Sequence, residues 1–363
     1  MWDVVVVGAG PGGSAAAKLC AEAGLQTLIL EKKKLPREKV CSGILSGKTV
    51  MNLIREIFGE LPETVLVDPF YLKGAIIHVN GAEPETIEER MPTAWRKDLD
   101  YWMTQKAKDQ GAEVFDSAQV LIIEEESGTH KIVVQHEGRE KSFDARFVIG
   151  ADGAASSVRK VLYPGIKVRY KQAVRECYRG ELSGLDRQHL HIFPDPSRKF
   201  VFLVNYKGDS YTLESSGGLG ESKKLMDEVA KPYLAAHHDF DPEKGFLWRD
   251  GCVEAMLSRD LISGSFIPAR GNILLVGDAA GFQLPTAEGI GTSLRSASIA
   301  AGSIVEAIRQ GKEAAPFYLN DTRGIIEAIK RLGARGAYDL SEGPGAAAAG
   351  IKDRLLGVLE LSY

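Results

Sequence analysis

The hydrophobic pattern opens with a short apolar run, Trp2-Asp3-Val4-Val5-Val6-Val7, that ends in glycines. A β-branched run bounded in this way predicts a strand buried on both faces, as in parallel sheets. From Ser14 to Ala23 the chain carries small residues and helix formers, stops at Gly24, and gives way to the apolar segment Gln26 to Glu31. Strand, helix and strand in about 30 residues predict a βαβ unit.

Further along, the pattern predicts a helix over 98–110 closed by Gly111, then alternating segments over 112–123 and 131–135 that read as meandering strands. Ala145 to Gly150 is another buried strand. Between about Tyr170 and Phe266 the chain turns aromatic, with strands expected over 189–193, 200–206 and 211–213 and a helical stretch over 221–237. Gly271 to Asp278 and a long Ala-rich helix from Gly289 return to the apolar-strand and small-residue-helix pattern of the N-terminus. These shifts predict an α/β chain, a Rossmann-like nucleotide-binding domain with an inserted α+β domain built on an antiparallel sheet, followed by C-terminal helices. The nucleotide-binding domain is expected to span 1–70, 96–165 and 266–310, the inserted substrate domain 71–95 and 166–265, and the C-terminal helical segment 311–363. The Gly/Ala-rich stretch Gly343 to Gly350 reads as a mobile link before a short amphipathic helix.

Composition narrows the function classes. With 363 residues, 44% hydrophobic and 26% charged, the chain has room for two domains. A net charge of -4 supplies no basic face for nucleic acid. Cys20, Cys41, Cys177 and Cys252 lack metal-ligand spacing and are too few for a disulfide-stapled secreted fold, so a reducing cytoplasm is expected. Cys20, Cys177 and Cys252 read as buried small hydrophobes, Lys32-Lys33-Lys34 and Glu124-Glu125-Glu126 as exposed charge runs, and His237-His238-Asp239 as solvated surface; no metal site is expected. No stretch approaches the ~18 apolar residues of a spanning helix, which leaves peripheral membrane contact compatible with the sequence.

The strongest local signal is Gly8-Ala9-Gly10-Pro11-Gly12-Gly13, lying between a strand and a helix, with Glu31 at the end of the next strand. Gly8 permits the tight turn, Gly10 lets the backbone approach a pyrophosphate, and Gly13 lets helix and strand pack closely. Glu31 is placed to accept hydrogen bonds from a ribose. Ala9, Pro11, Lys32 and Val120 are counted with them as cofactor-binding positions.

Two later strands end in Asp152-Gly153 and in Gly277-Asp278. In this order and spacing the three motifs resemble the para-hydroxybenzoate hydroxylase-type flavoproteins. The resemblance implies FAD, with Asp278 on the ribityl hydroxyls and Asp152 lining the pyrophosphate region. Within that group the chain resembles the geranylgeranyl reductase family over roughly residues 1 to 310. Lys39-Val40-Cys41-Ser42-Gly43-Ile44 is similar to its Cys-Gly-Gly-type loop, Arg96-Lys97-Asp98-Leu99-Asp100 to its Arg-led helix start, and Pro285-Thr286-Ala287-Glu288-Gly289-Ile290-Gly291 to its Pro-x-x-x-Glu-Gly-Ile helix start. Amides at Gly289 to Gly291 would stabilise an anionic reduced flavin.

One departure shapes the expected pocket. His189-Leu190-His191-Ile192-Phe193-Pro194 stands where the family often has Tyr-x-Trp-x-Phe-Pro. His189 and His191 share one face of a strand, which predicts a pocket more polar than an isoprenoid sleeve. Cys41, His189 and His191 are the candidate proton donors; Cys41 also reads as a small loop residue against the flavin, and the imidazoles as surface groups.

Three functions remain open at this point. Reduced FAD could deliver hydride to a carbon-carbon double bond of an isoprenoid or other unsaturated small molecule. The same scaffold supports aromatic hydroxylation, with halogenation a weaker branch. A flavoprotein relaying electrons to a partner is the third. No second Gly-x-Gly-x-x-Gly is present, so NAD(P)H or a redox donor protein such as ferredoxin are both open as electron donors.

Overall fold

The computed structural model describes residues 1–126, 128–198, 200–286, 288–334 and 344–361. Strand β1 (Trp2–Val7) leads through α1 (Pro11–Glu22) into β2 (Thr27–Leu30), and α2 (Lys48–Phe58) precedes the long pair β3 (Leu66–Ile77) and β4 (Glu85–Ala94). Helix α3 (Arg96–Asp109) is followed by β5 (Glu113–Phe115), β6 (Ala118–Glu126), β7 (Thr129–His136) and β8 (Arg139–Gly150). After α4 (Ser157–Leu162) come β9 (Tyr170–Arg179), β10 (His189–Asp195), β11 (Phe200–Lys207) and β12 (Ser210–Gly217). A helical arm, α5 (Glu221–Leu225) and α6 (Lys231–His237) joined by a π turn, leads to β13 (Phe246–Ala255). The chain ends with α7 (Ser258–Ser263), β14 (Ala269–Arg270), β15 (Ile273–Leu275), α8 (Ile290–Gln310), α9 (Ala315–Asp321), α10 (Arg323–Ala334) and α11 (Pro344–Leu359).

Two sheets organise these elements. In the first, β15, β8, β1, β2 and β5 lie parallel in that order, with β14 antiparallel at one edge and β6 and β7 folded onto β8. Val4, Val5 and Val6 are fully buried at its centre, as a two-sided apolar strand requires. The second sheet runs β13-β9-β12-β11-β10-β3-β4. It is antiparallel except between β10 and β3, which are parallel. The long stretch of chain between β3 and β10 permits this parallel pairing, which a short hairpin connection would not.

The two faces of the second sheet have different fates. Tyr178, Phe193, Phe202, Tyr206, Tyr211 and Leu213 form an aromatic core beneath the helical arm, where Met226, Ala230 and Leu234 cover them. On the other face Ala75, Ile87 and Ile192 pack with Ile351 and Leu355 of α11. This corrects part of the Gly343 to Gly350 expectation. Gly343 lies outside the described residues, but the chain from Pro344 is helical, because proline fits a first helical turn and the alanines that follow are strong helix formers.

Candidate active site

A cavity of about 1320 Å³ lies between the two sheets and is closed on one side by α10 and α11. Its nucleotide end is built on glycine backbone. Gly8 has φ +107°, and a Cβ there would lie 2.4 Å from the Ala151 carbonyl oxygen; one at Gly13 would lie 1.8 Å from the Gly8 carbonyl oxygen. Neither position admits a side chain. At Gly10 an added Cβ meets nothing nearer than the Arg37 guanidinium at 3.7 Å, so that backbone opens into the cavity. Pro11 starts α1, whose N-terminal amides are directed at the same space.

Acidic residues frame this end. The Ala9 and Lys33 amides donate to Glu31 at 2.9 and 3.0 Å, and Arg37 bridges Glu31 at 3.2 Å and Asp100 at 3.0 Å. Asp152 holds the start of α4 through one carboxylate oxygen, accepting from Ser157 N at 2.6 Å and Ser157 Oγ at 2.7 Å. Its Oδ1 is buried without a partner, as is Oε2 of Glu288, and both residues line the cavity. Buried orphaned oxygens beside a glycine cradle fit the hydroxyl-bearing diphosphate cofactor FAD. The Glu288 carboxyl is pushed up to about 7 by burial, against donation from the Gly291 amide at 2.8 Å.

Gly8, Gly10, Pro11, Glu31, Lys32, Cys41, Ser42, Arg96, Val120, Asp152, Gly153, Asp278, Pro285, Gly289 and Ile290 all line this one cavity. Ala9, Gly13, Gly43, Gly277 and Gly291 stand behind it. Ala9 and Gly291 act through the amides just described, and Gly43 would drive a Cβ to 2.0 Å from the Ala94 carbonyl oxygen. Gly277 has φ +55° and would meet Ser293.

The loop at Cys41 is clamped from the second sheet. Arg175 donates to the Cys41 carbonyl at 2.7 Å, and Asn205 Nδ2 to the Ser42 carbonyl at 3.3 Å. The Cys41 thiol accepts from the Gly43 amide at 3.4 Å and faces the Arg96 guanidinium, which forms a two-pronged pair with Asp100 at 2.7 and 3.0 Å. Beyond this loop the walls become largely apolar, with Arg354 of α11 also lining them. Ala75, Met91, Leu190, Ile192, Val201 and Leu203 from the sheet face Ile351, Leu355, Val358 and Leu359 from α11.

The FAD binding domain family matches residues 1–178. Digeranylgeranylglycerophospholipid reductase 1 of Methanopyrus kandleri is 30% identical over 340 residues, covering 87% of this chain and 84% of that protein. The chain belongs to the geranylgeranyl reductase family of FAD-dependent oxidoreductases. In fold it is similar to a geranylgeranyl bacteriochlorophyll reductase-like protein of Thermoplasma acidophilum, with TM-score 0.70 at 20% identity over 99% of this chain and 88% of that one. A flavin-dependent halogenase has the same architecture, with TM-score 0.74 at 17% identity over 98% of this chain and 69% of that one.

In this family member the imidazoles are not where the sequence pattern placed them. His189 and His191 do share one face of β10, but it is the face turned to the aromatic core; Leu190 and Ile192, of opposite parity, line the cavity. His191 is 1% exposed, and its Nε2 donates to the Asp186 carbonyl at 2.9 Å. Its Nδ1 must then accept from Nε2 of His78, also at 2.9 Å. His189 pairs with the Asp186 carboxylate at 2.8 Å. The expected polar pocket walled by these two residues is therefore corrected: alternation on β10 sends them behind the sheet and leaves an apolar wall in front.

Other residues were not singled out by sequence. Arg37, Arg175 and Glu214 all line the cavity but belong to no local motif. Cys252, expected as a buried hydrophobe, is only partly buried and lines the cavity too, whereas Cys20 and Cys177 are buried. Burial pushes the Cys20 thiol up to about 12 and Cys177 to about 11. Among the described residues no cluster of three or more His, Cys, Asp or Glu could hold a metal, and no helix is long and apolar enough to cross a membrane.

Proposed function

We propose that this FAD-dependent oxidoreductase is a reductase that saturates carbon-carbon double bonds of a long isoprenoid chain. The observation that carries this reading is the apolar sleeve between the second sheet and α11, continuous with the glycine cradle. A prenyl chain gains about 0.8 kcal/mol per methylene buried in such a sleeve, whereas a small aromatic substrate would leave most of it unused. The relative from Methanopyrus kandleri carries a name of the same chemistry.

When bound and reduced, FAD supplies the hydride. The chain's own residues supply placement. Amides at Gly10 and the α1 N-terminus would hold the diphosphate, and Glu31, held by the Ala9 amide, would meet the ribose. Asp278 would hold hydroxyls of the ribityl chain, Asp152 would line the pyrophosphate region, and the amides at the start of α8 would oppose negative charge on the ring. Arg175 and Asn205 fix the Cys41–Ser42 loop at the mouth of the sleeve. The electron donor is NAD(P)H or a ferredoxin, supplied from outside the chain.

The test is an anaerobic single turnover. Photoreduced protein mixed with a geranylgeranyl-bearing lipid should reoxidise and yield a product richer by two hydrogens. Reoxidation that instead requires oxygen and an aromatic substrate would replace this reading by a monooxygenase.

A further inference from the structure

One row of paired residues crosses the second sheet and changes character along its length. In register it runs Asp250 on β13, Arg175 on β9, Glu214 on β12, Leu203 on β11 and Ile192 on β10. Arg175, Glu214, Leu203 and Ile192 all line the cavity. The row is charged beside the Cys41 loop and apolar along the sleeve. Glu214 occupies the step between the two.

Its neighbours are committed elsewhere. Arg175 forms a two-pronged pair with Asp250 at 3.1 and 2.7 Å and spends its third group on the Cys41 carbonyl. Lys207 of β11, buried at the same place, donates to the Ala94 carbonyl at 2.6 Å, and burial brings its ammonium down to about 8. Glu214 itself receives one neutral hydrogen bond, from Thr212 Oγ1 to Oε1 at 2.8 Å. Burial raises its carboxyl against the nearby charges of Arg175 and Lys207, with Asp250 reinforcing the shift. The result is a carboxyl whose pKa stands above its ordinary value and that faces the cavity where the sleeve begins.

We propose that Glu214 is the proton donor for alkene reduction, an inference that rests on the reductase reading above. In the balanced step, reduced flavin gives hydride to one alkene carbon while the Glu214 O–H gives its proton to the adjacent carbon. The π bond is consumed and two C–H bonds form. The flavin is left oxidised, and Glu214 is left as a carboxylate that regains a proton from water.

The experiment compares wild type, Glu214→Gln and Glu214→Asp in two measurements. In the first, FAD-loaded protein is photoreduced and mixed anaerobically with the geranylgeranyl-bearing lipid across a range of pH. Wild-type reoxidation should slow as pH rises through the Glu214 ionisation. Glu214→Gln should be slower by about 10²-fold or more and lose that pH limb, and Glu214→Asp should restore a limb at shifted pH. In the second, infrared titration of substrate-free protein should show a carboxyl that protonates above the ordinary carboxylate range and is missing from Glu214→Gln, beside the Glu288 signal that both proteins keep. If Glu214→Gln keeps both the rate and the limb, or its whole protonated-carboxyl signal equals that of wild type, Glu214 is not the donor while the reductase reading stands. If wild type fails to reoxidise with the alkene, the reductase reading falls first and this inference with it. Should Glu214→Gln not load FAD, the shifted limb of Glu214→Asp and the infrared titration decide.

Discussion

The two ends of the cavity are built by opposite strategies. At the nucleotide end the working groups are backbone amides presented by one contiguous segment, Gly8 to Gly13, and the side chains there are small because larger ones would collide with the chain itself. At the sleeve end the working groups are side chains, contributed by β3, β4, β10, β11 and α11, which are separated by up to hundreds of residues. Gly8 and Gly13 are intolerant of any added atom, because their neighbours are peptide groups that cannot move aside. A side-chain site is tolerant of shape and selective mainly for polarity.

The largest effect should come from breaking the backbone end. Gly10→Val places its branched side chain in the open space at the pyrophosphate, so the protein should fold with an unchanged melting temperature yet bind FAD at least about 10²-fold more weakly, a loss near 3 kcal/mol. Gly13→Ala is different in kind, since its Cβ would lie 1.8 Å from the Gly8 carbonyl oxygen, and loss of soluble folded protein is expected. Flavin absorbance after gel filtration, with a melt of the apoprotein, separates the two. A Gly10→Val protein that retains its flavin would refute the assignment of that loop.

A smaller effect is expected at the sleeve. Leu203→Gln puts an unpaired amide into the apolar wall, at about 1 to 3 kcal/mol, and should lower kcat/KM for a geranylgeranyl substrate about 10- to 100-fold with FAD content unchanged. Equal losses for a short alkene would mean that the wall does not read chain length.

The smallest effect on catalysis should come from the far face of the same sheet. His191→Ala removes the acceptor of the His78 N–H, while the Asp186 carbonyl keeps the His189 amide at 3.1 Å, costing about 1 to 3 kcal/mol of stability with turnover of the folded protein unchanged. Burial first, and then the charges of His191 and His238, brings His78 down to about 4 from 6.5. Burial lowers His191 as well. The unfolded chain therefore takes up protons at these sites before the folded one does, so stability should decline as pH falls from about 6.5 toward 4. Melting temperature measured across that window should show the decline, with a shallower slope for His78→Phe. A turnover defect in folded His191→Ala would return the imidazoles to the active site.

These contrasts also explain which features are legible in the chain alone. The β1–α1–β2 unit and its glycines were legible because the signal is local: a buried strand, a tight turn and a helix start within one short stretch. The start of α3 was legible for the same reason, since Arg96 and Asp100 stand one helical turn apart and pair directly. The face of β10 was not. Alternation established that His189 and His191 point the same way, and equally that Leu190 and Ile192 point the other way, but a period of two leaves open which set meets the cavity. The Gly/Ala-rich stretch before the C-terminus misled for a related reason: read alone it resembles a linker, whereas Ala348 and Ile351 find an apolar partner in the second sheet.

The sequence alone therefore determined the cofactor and the scaffold, because backbone geometry at Gly8, Gly10 and Gly13 and an acid at Glu31 are requirements of neighbouring residues on one another. It also determined the family, through short motifs each complete in itself. Only the tertiary structure decided what the cavity would accept. The aromatic cluster with the helical arm claimed one face of the second sheet, α11 closed over the other, and Glu214 came to stand beside Arg175 and Leu203 through strand pairing across the sheet. Such neighbours are chosen by register and burial between distant segments, and no local pattern of residues encodes them.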